Sequence, residues 1–215
     1  AGLKRAYRKT IRLSLFLHFP LMVGLWATAD SLFRLLLTDK WAPSVPYFQL
    51  LCVAGLLYPL HVLNLNILKV KGRSDLFFRL EIVKKAFLVL ALLLTYRHGI
   101  LAMLYGLIIT SIIAYLLNSY YSGHLIDYSH LDQIKDLFPS FTSAFLMGVG
   151  MYFIGFLPIE NHLLMLSLQT ITGVILYYLI SLKTSSTELK EVKSIAGNTF
   201  TLIVIKIKGK LWQTR

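Results

Sequence analysis

The sequence predicts an all-α integral membrane protein with six transmembrane helices, and two observations carry that expectation. Hydrophobic residues make up 56% of the 215 positions and mean hydropathy is +0.66, too apolar for a soluble core wrapped in a polar surface. The apolar residues are also gathered into six runs, roughly 13–37, 47–70, 76–96, 99–121, 138–157 and 162–182. Each approaches the ~20 residues a helix needs to cross hydrocarbon, whereas outer-membrane strands read as alternating segments of about 10.

The formal charge of +12 is read as topology. Nucleic-acid binding needs basic residues on a folded polar face, and here they sit between apolar runs, so no nucleic-acid partner is expected. Placing the N-terminus, residues 69–85, the 122–137 loop and the region after 182 on one side leaves only Arg34, Lys40 and Arg97, of 22 Lys and Arg, on the other. Lys and Arg accumulate on the cytoplasmic side, which puts both ends there. The division is then a transmembrane region over 1–182 and a basic cytoplasmic tail over 183–215. Cys52 is a lone thiol within an apolar run, so there is no disulfide framework. Neither a metal site nor a cofactor motif is present. The chain opens at Ala1 directly on Lys4, Arg5, Arg8, Lys9 and Arg12, without an initiator methionine or a cleavable signal, which suggests a piece of a longer protein.

In the first run, Asp30 and Arg34 have the i, i+4 spacing of a pair on one helix face. They are either an interfacial ion pair or a coupling element. His18, next to Pro20, suits capping of a freed backbone group. The short outer loop TDKWAPSVPYF contains two prolines and carries Trp41 and Tyr47 as interfacial anchors.

The second run is interrupted by Pro59 and then carries His61, Asn64 and Asn66. Hydrocarbon does not tolerate such groups unless they face protein or water. They line a cavity or make interhelical hydrogen bonds, and His61 is also a candidate titrating group because its ordinary pKa lies near neutrality. The third run must begin near Asp75 to span, bringing Arg79, Glu81, Lys84 and Lys85 into its cytoplasmic part, with Glu81 and Lys85 spaced to pair. The surplus positive charge suits an anionic headgroup or a diphosphate, or simply snorkels to the interface.

Arg97, His98 and Gly99 turn the third helix tightly into the fourth. The following SGHLIDYSHLDQIKDLFPS reads as a solvated loop, since its histidines and aspartates lack a compact metal-ligand spacing. Gly148, Gly150 and Gly155 permit close helix packing. Gln169 is the one strongly polar residue inside the sixth run. The C-terminal TFTLIVIKIKGKLWQTR alternates apolar and basic residues and suits an anionic inner leaflet.

The stretch RAYRKTIRLSLFLHFPLMVGLWATADSLFRLLLTDKWAPSVPYFQLL, with NLNILKVKGRSDLFFRLEIVKK after it, resembles the O-antigen and exopolysaccharide flippase branch of the multidrug, oligosaccharidyl-lipid and polysaccharide exporter superfamily. The shared elements are the basic opening, Pro20 with Gly24, the short outer loop with Lys40 and Trp41, and Lys71, Gly72 and Arg73 at the next turn. The resemblance extends to about Tyr121. It implies two six-helix lobes around a central cavity in the bacterial inner membrane, with up to two further helices at the C-terminus. Alternating access would move a polyprenyl-diphosphate-linked oligosaccharide to the outer leaflet, with no catalytic residue. On that pattern the chain starts at about the third helix of the second lobe, and its partners are the lipid-linked oligosaccharide, anionic lipids and the missing N-terminal lobe. Arg79, Lys84 and Lys85 are then the candidates for the anionic head, and His61, Asn64 and Asn66 for the sugar or for helix contacts. Three alternatives stay open: a cation or drug antiporter of the same superfamily, a non-transporting remnant, and a membrane glycosyltransferase or polymerase. An antiporter would use buried acids, of which Asp30 and Glu81 are the only candidates. The enzyme would need a larger extramembrane loop than any here.

Overall fold

Thirty-six consecutive residues form the helix α1 (Gly2–Leu37), and its inward side recurs at every fourth position: Tyr7, Ile11, Leu15, Phe19, Val23, Ala27 and Ser31. A step of four residues overshoots one 3.6-residue turn by about 40°, so this stripe winds slowly round the helix. The same i±4 ridge is the one that helices interdigitate when they cross at an angle. One helix can therefore serve different neighbours along its length. Near its start α1 packs into a cluster with Leu60, Ile67, Tyr115, Ile126, Tyr128, Leu137 and Ala144. Towards its end Ala27 meets Met147 and Met151.

The computed structural model describes residues 2–185, 187–194 and 197. After α1 come a 3₁₀ helix (Asp39–Ser44), α2 (Val45–Gly55), α3 (Tyr58–Val70), α4 (Ser74–Thr95), a short 3₁₀ turn (Tyr96–His98), α5 (Ile100–Ile126), α6 (His130–Ile154) and α7 (His162–Thr184). Residues 187–194 are helical as well, and no strand occurs among the described residues. The helices form two groups that share α1. In one, α6 lies against α1 and α7; in the other, α5 lies against α2, α3 and α4.

The chain is an all-α, multi-pass membrane protein. Five stretches are long and apolar enough to cross a bilayer: Gly2–Leu37, Asp39–Val70, Ile100–Ile126, His130–Ile154 and His162–Thr184. At 22 residues α4 has the length, but Asp75, Arg79, Glu81, Lys84 and Lys85 load its first half with charge.

Three details depart from the sequence expectation. The solvated loop expected over 122–137 is mostly helix: α5 continues to Ile126, α6 starts at His130, and Gln133 and Asp136 are buried. The link can be this short because Asp127 adopts a left-handed conformation (φ 54°) that ends α5, and because the Ser129 side chain caps α6 by accepting from the Asp132 amide at 3.1 Å. The Tyr128 ring between them is buried against Tyr7, edge to face at 6.1 Å. Secondly, Glu81 pairs with Lys84, one position before the expected Lys85. Thirdly, the start of the tail is docked: Arg12 meets Glu188 at 2.5 Å, Lys9 meets Glu191 at 2.9 Å, and Lys193 donates to the Tyr178 hydroxyl at 2.8 Å. The apolar and basic run over 199–215 lies outside the described residues.

The small residues of α6 and α7 do bring helices close. A Cβ at Gly148 would collide with Val23, one at Gly150 with Leu176, and one at Gly173 would lie 2.5 Å from the Met151 sulfur. Within α5 two glycines differ sharply. A Cβ at Gly123 would sit 2.7 Å from the Tyr128 carbonyl oxygen, part of the backbone that closes the turn into α6, whereas one at Gly106 meets only Thr95 and Ala91 side chains at 3.4 Å or more. Gly106→Ala is expected to be neutral or to stabilise by up to about 1 kcal/mol, the helix-propensity gain. Gly123→Ala is expected to destabilise by about 1–3 kcal/mol, as overpacking does. Thermal unfolding of the two variants in detergent checks the ranking, and equal midpoints would contradict it.

Candidate functional site

A proline inside a helix removes the N–H that would bond the carbonyl four residues earlier. In an apolar medium that carbonyl needs another donor. Pro20 frees the Phe16 carbonyl, and the Tyr177 hydroxyl of α7 donates to it at 2.6 Å. Pro59 frees the Gly55 carbonyl where α2 stops, and His18 of α1 reaches it through Nε2 at 2.9 Å. His18 thus caps a freed backbone group as expected, but on the neighbouring helix. The Ala54 carbonyl, also at the end of α2, accepts from Ser111 of α5 at 3.4 Å.

Below the break, α3 and α5 face each other through polar side chains. The Asn118 amide nitrogen approaches His61 Nδ1 at 3.4 Å, and His61 Nε2 lies 3.1 Å from the Ser111 oxygen. Ser111 in turn reaches the Ala54 carbonyl, so the end of α2, His61 and Asn118 form one run of polar contacts between helices. One turn further on, the fully buried Asn64 gathers donors from three helices onto its Oδ1: Tyr7 at 2.7 Å, Ser122 at 2.5 Å and the Gln133 amide at 3.2 Å. Its own amide returns to Gln133 Oε1 at 3.2 Å. Beside this network, Asp136 accepts from Arg8, with Nη2 at 2.6 Å, and from the Tyr128 hydroxyl at 2.7 Å. Burial, and then that bond to a carboxylate, push the Tyr128 hydroxyl above its ordinary pKa, so it remains a donor at neutral pH.

The sequence-predicted residues separate into two groups. His61 and Asn64 belong to this interhelical network, with the Glu81–Lys84 pair close enough to His61 to act on it electrostatically. Asn66 is exposed on another face of α3. Arg79 and Lys85 are exposed on α4 with no ion-pair partner among the described residues. Six residues apart, they point about 120° away from one another, so Arg79, Lys84 and Lys85 do not converge on one point. Asp30 and Arg34 do pair, at 2.9 Å, and Arg34 also holds Asp39 at 2.7 Å. That clamp ties the end of α1 to the outer 3₁₀ helix.

Sequence reasoning missed Tyr7, Ser111, Ser122, Gln133 and Tyr177 as partners. Each is a polar residue whose role depends on another helix. The only local signal was the pair of interior prolines, which demands two outside donors. At the turn between α3 and α4, hydrogen bonding to Arg73 pulls the exposed Asp75 carboxyl down to about 2, so this pair stays charged throughout the neutral range and opens only as pH falls towards that value. Among the described residues no group of three or more His, Cys, Asp or Glu is arranged to hold a metal ion.

The network makes a direct prediction. Asn64→Ala leaves the Tyr7, Ser122 and Gln133 donors buried without their shared acceptor and is expected to destabilise by about 2–4 kcal/mol, since each unsatisfied buried group costs roughly 1–3. Asn66→Ala is expected to stay within about 0.5 kcal/mol of the parent, as exposed substitutions do. Thermal unfolding of both variants tests this, and equal stability would remove Asn64 from the packing account.

Residues 1–46 match the family described as Polysaccharide biosynthesis protein. Over 76 residues the chain is 29% identical to the teichuronic acid biosynthesis protein TuaB of Bacillus subtilis, a stretch covering 35% of this chain and 16% of that protein. Over 68 residues it is 32% identical to the lipopolysaccharide biosynthesis protein WzxC of Escherichia coli, covering 32% of this chain and 14% of the relative. The matched part is thus under one fifth of either relative's length. No solved structure matches. The two relatives are named for the biosynthesis of teichuronic acid and of lipopolysaccharide, and the family match takes in α1, the helix that both halves of the fold share.

Proposed function

We propose that this chain is part of an inner-membrane transporter that flips a polyprenyl-diphosphate-linked oligosaccharide from the cytoplasmic to the outer leaflet by alternating access. The observation that carries the reading is the family match over residues 1–46 together with the similarity to TuaB and WzxC, in a chain with five stretches long and apolar enough to span a bilayer. Supporting it, α4 places the exposed cations Arg79 and Lys85 on a helix that is otherwise apolar after its first half. A diphosphate head is the kind of group such cations attract, and the lipid tail stays in hydrocarbon while the head crosses. The work is conformational and requires no covalent chemistry. We assign both ends of the described region to the cytoplasmic face, where Lys69, Lys71 and Arg73 gather at the turn between α3 and α4. We count α4 as the sixth span, its charged first half meeting headgroups or the water of an inward-open cavity.

Within this proposal the candidate residues take different roles. Arg79 and Lys85 are the contacts for the anionic head, with Lys84 shared between Glu81 and that head, and Asn66 is the exposed amide available to a sugar. His61 and Asn64 hold the wall in place. The test is a leaflet assay on the full-length protein with its lipid-linked sugar. Arg79→Gln with Lys85→Gln is expected to slow translocation at least tenfold, the order of one lost charge-assisted contact, while the thermal midpoint stays unchanged. A rate equal to the parent's would sink the assignment of the cations. Efflux of a cationic dye, with no effect on surface polysaccharide, would sink the flippase reading as a whole.

A further inference from the structure

The two proline breaks adjoin. Pro20 interrupts α1, Pro59 separates α2 from α3, and His18 lies on α1 two residues before the first while bonding the carbonyl freed by the second. Residues Ser14, Leu17, His18, Leu21, Tyr58 and Pro59 border one groove, of about 440 Å³, at this level. On the other side, Phe19, Ala54, Leu56, Leu57, Ile108 and Ser111 border a second, of about 310 Å³. Packed helices do not bend into filled space; here two grooves lie open beside the break, while α1 beyond it stays packed on α6 through Val23 and Gly148 and bonded to α7 through Ser31 and Gln169.

On either side of this level the chain is stitched together separately. Cytoplasmic of it, Tyr7, Asn64, Ser122 and Gln133 share one network, and Arg8 binds Asp136. Beyond it, Gln49 of α2 donates to the Trp26 carbonyl of α1 at 3.1 Å, the Phe33 and Phe48 rings pack at 5.2 Å, and Arg34 clamps Asp30 and Asp39. Across the break itself the freed carbonyls are held only by the side chains of His18, Tyr177 and Ser111. Meanwhile α5 runs unbroken past the same level. The proline of α6, Pro139, lies between the levels set by the Arg8–Asp136 pair and the Val23–Gly148 contact, and its neighbours Phe138 and Phe141 border the second groove.

We propose that Pro20 and Pro59 form one hinge, coupled through His18, about which the outer corner (residues 21–55) swings as a unit against α5, α6 and α7, releasing the Ser31–Gln169 bond and the Val23–Gly148 contact, while the cytoplasmic half stays fixed. A single side chain spanning both breaks means that neither helix bends without displacing the other. A side chain-to-carbonyl bond can slide or lengthen where a helical backbone bond would hold the axis straight. The hinge follows from the packing alone and does not depend on what, if anything, the protein transports.

The test uses the full-length protein in lipid nanodiscs, in a Cys52→Ser background, with pairs of spin labels on exposed positions. One pair, Leu36→Cys with Leu163→Cys, reports on the outer corner against α7; the other, Leu3→Cys with Val70→Cys, reports on the cytoplasmic half. Pulsed dipolar distances are expected to be broad or two-peaked for the outer pair and narrow for the inner one. Pro59→Ala, which restores the backbone bond to Gly55, should narrow the outer distribution and leave the inner one alone. Ala54→Leu keeps both prolines and fills the second groove, and should narrow it likewise, so the proposal is tested even where one variant fails to fold. His18→Ala should broaden the outer distribution further. Equally narrow distributions at both ends of the parent protein, or an outer distribution that none of the three variants changes, would overturn the hinge.

Discussion

Every backbone carbonyl inside a bilayer needs a donor, because no water is there to supply one. That constraint decides how this fold is held together. Pro20, Pro59 and Pro139 all interrupt stretches that cross hydrocarbon, and the first two leave carbonyls that take their donors from other helices. The donors come from elsewhere: Tyr177 from α7 for Phe16, and His18 from α1 for Gly55. These bonds tie the central helix to α7 on one side and to α2 on the other. The breaks are thus obligations that specify which helices are neighbours, in a medium where apolar burial alone gives one helix little reason to prefer another.

The polar residues around Asn64 extend the same logic. Asn64 would be costly to bury alone, yet with Tyr7, Ser122 and Gln133 around it each of its polar atoms is bonded, and four helices are fixed in register. A fully satisfied buried network rigidifies, and a partly satisfied one costs stability. The opposite end of the bundle combines packed rings and small residues with polar clamps: the Gln169 oxygen accepts from Ser31 at 3.1 Å, and Arg34 holds Asp30 and Asp39. Between the two ends the carbonyls freed at the breaks rest on single side chains, so rigidity is expected to be uneven along the helices.

The fold class was legible because it rests on composition and run length, which need no partner to be interpreted. The break at Pro59 and the pairing of Asp30 with Arg34 were legible for the same reason, both being local in sequence. Asn64 was recognisable as a residue that needed company, but not which company: Gln133 lies 69 positions away in a stretch whose histidines, aspartates and lysine look solvated. The helical continuation through that stretch depends on Tyr128 being buried against Tyr7, a contact invisible to local patterning. The Glu81 partner was misplaced by one residue because i, i+3 and i, i+4 are both within reach on a helix. Here Lys84, not Lys85, lies on the stripe that faces α5.

That stripe makes α4 the odd member of the bundle. Leu80 is its one fully buried residue, and Phe77, Glu81, Lys84, Leu88, Ala91 and Thr95 complete a single line of contact. Apart from the half-buried Leu76, the rest of the helix, Arg79 and Lys85 included, is exposed. A cation at the end of a span can reach the interface by snorkelling in one direction, but two cations about 120° apart need a polar surrounding on two flanks. Hydrocarbon on both would be expensive. The first half of α4 therefore requires headgroups, water or further protein around more than half of its circumference. The described helices cover it along the α5 side and, near its start, against α3, which leaves the flanks that carry Arg79 and Lys85 uncovered among the described residues.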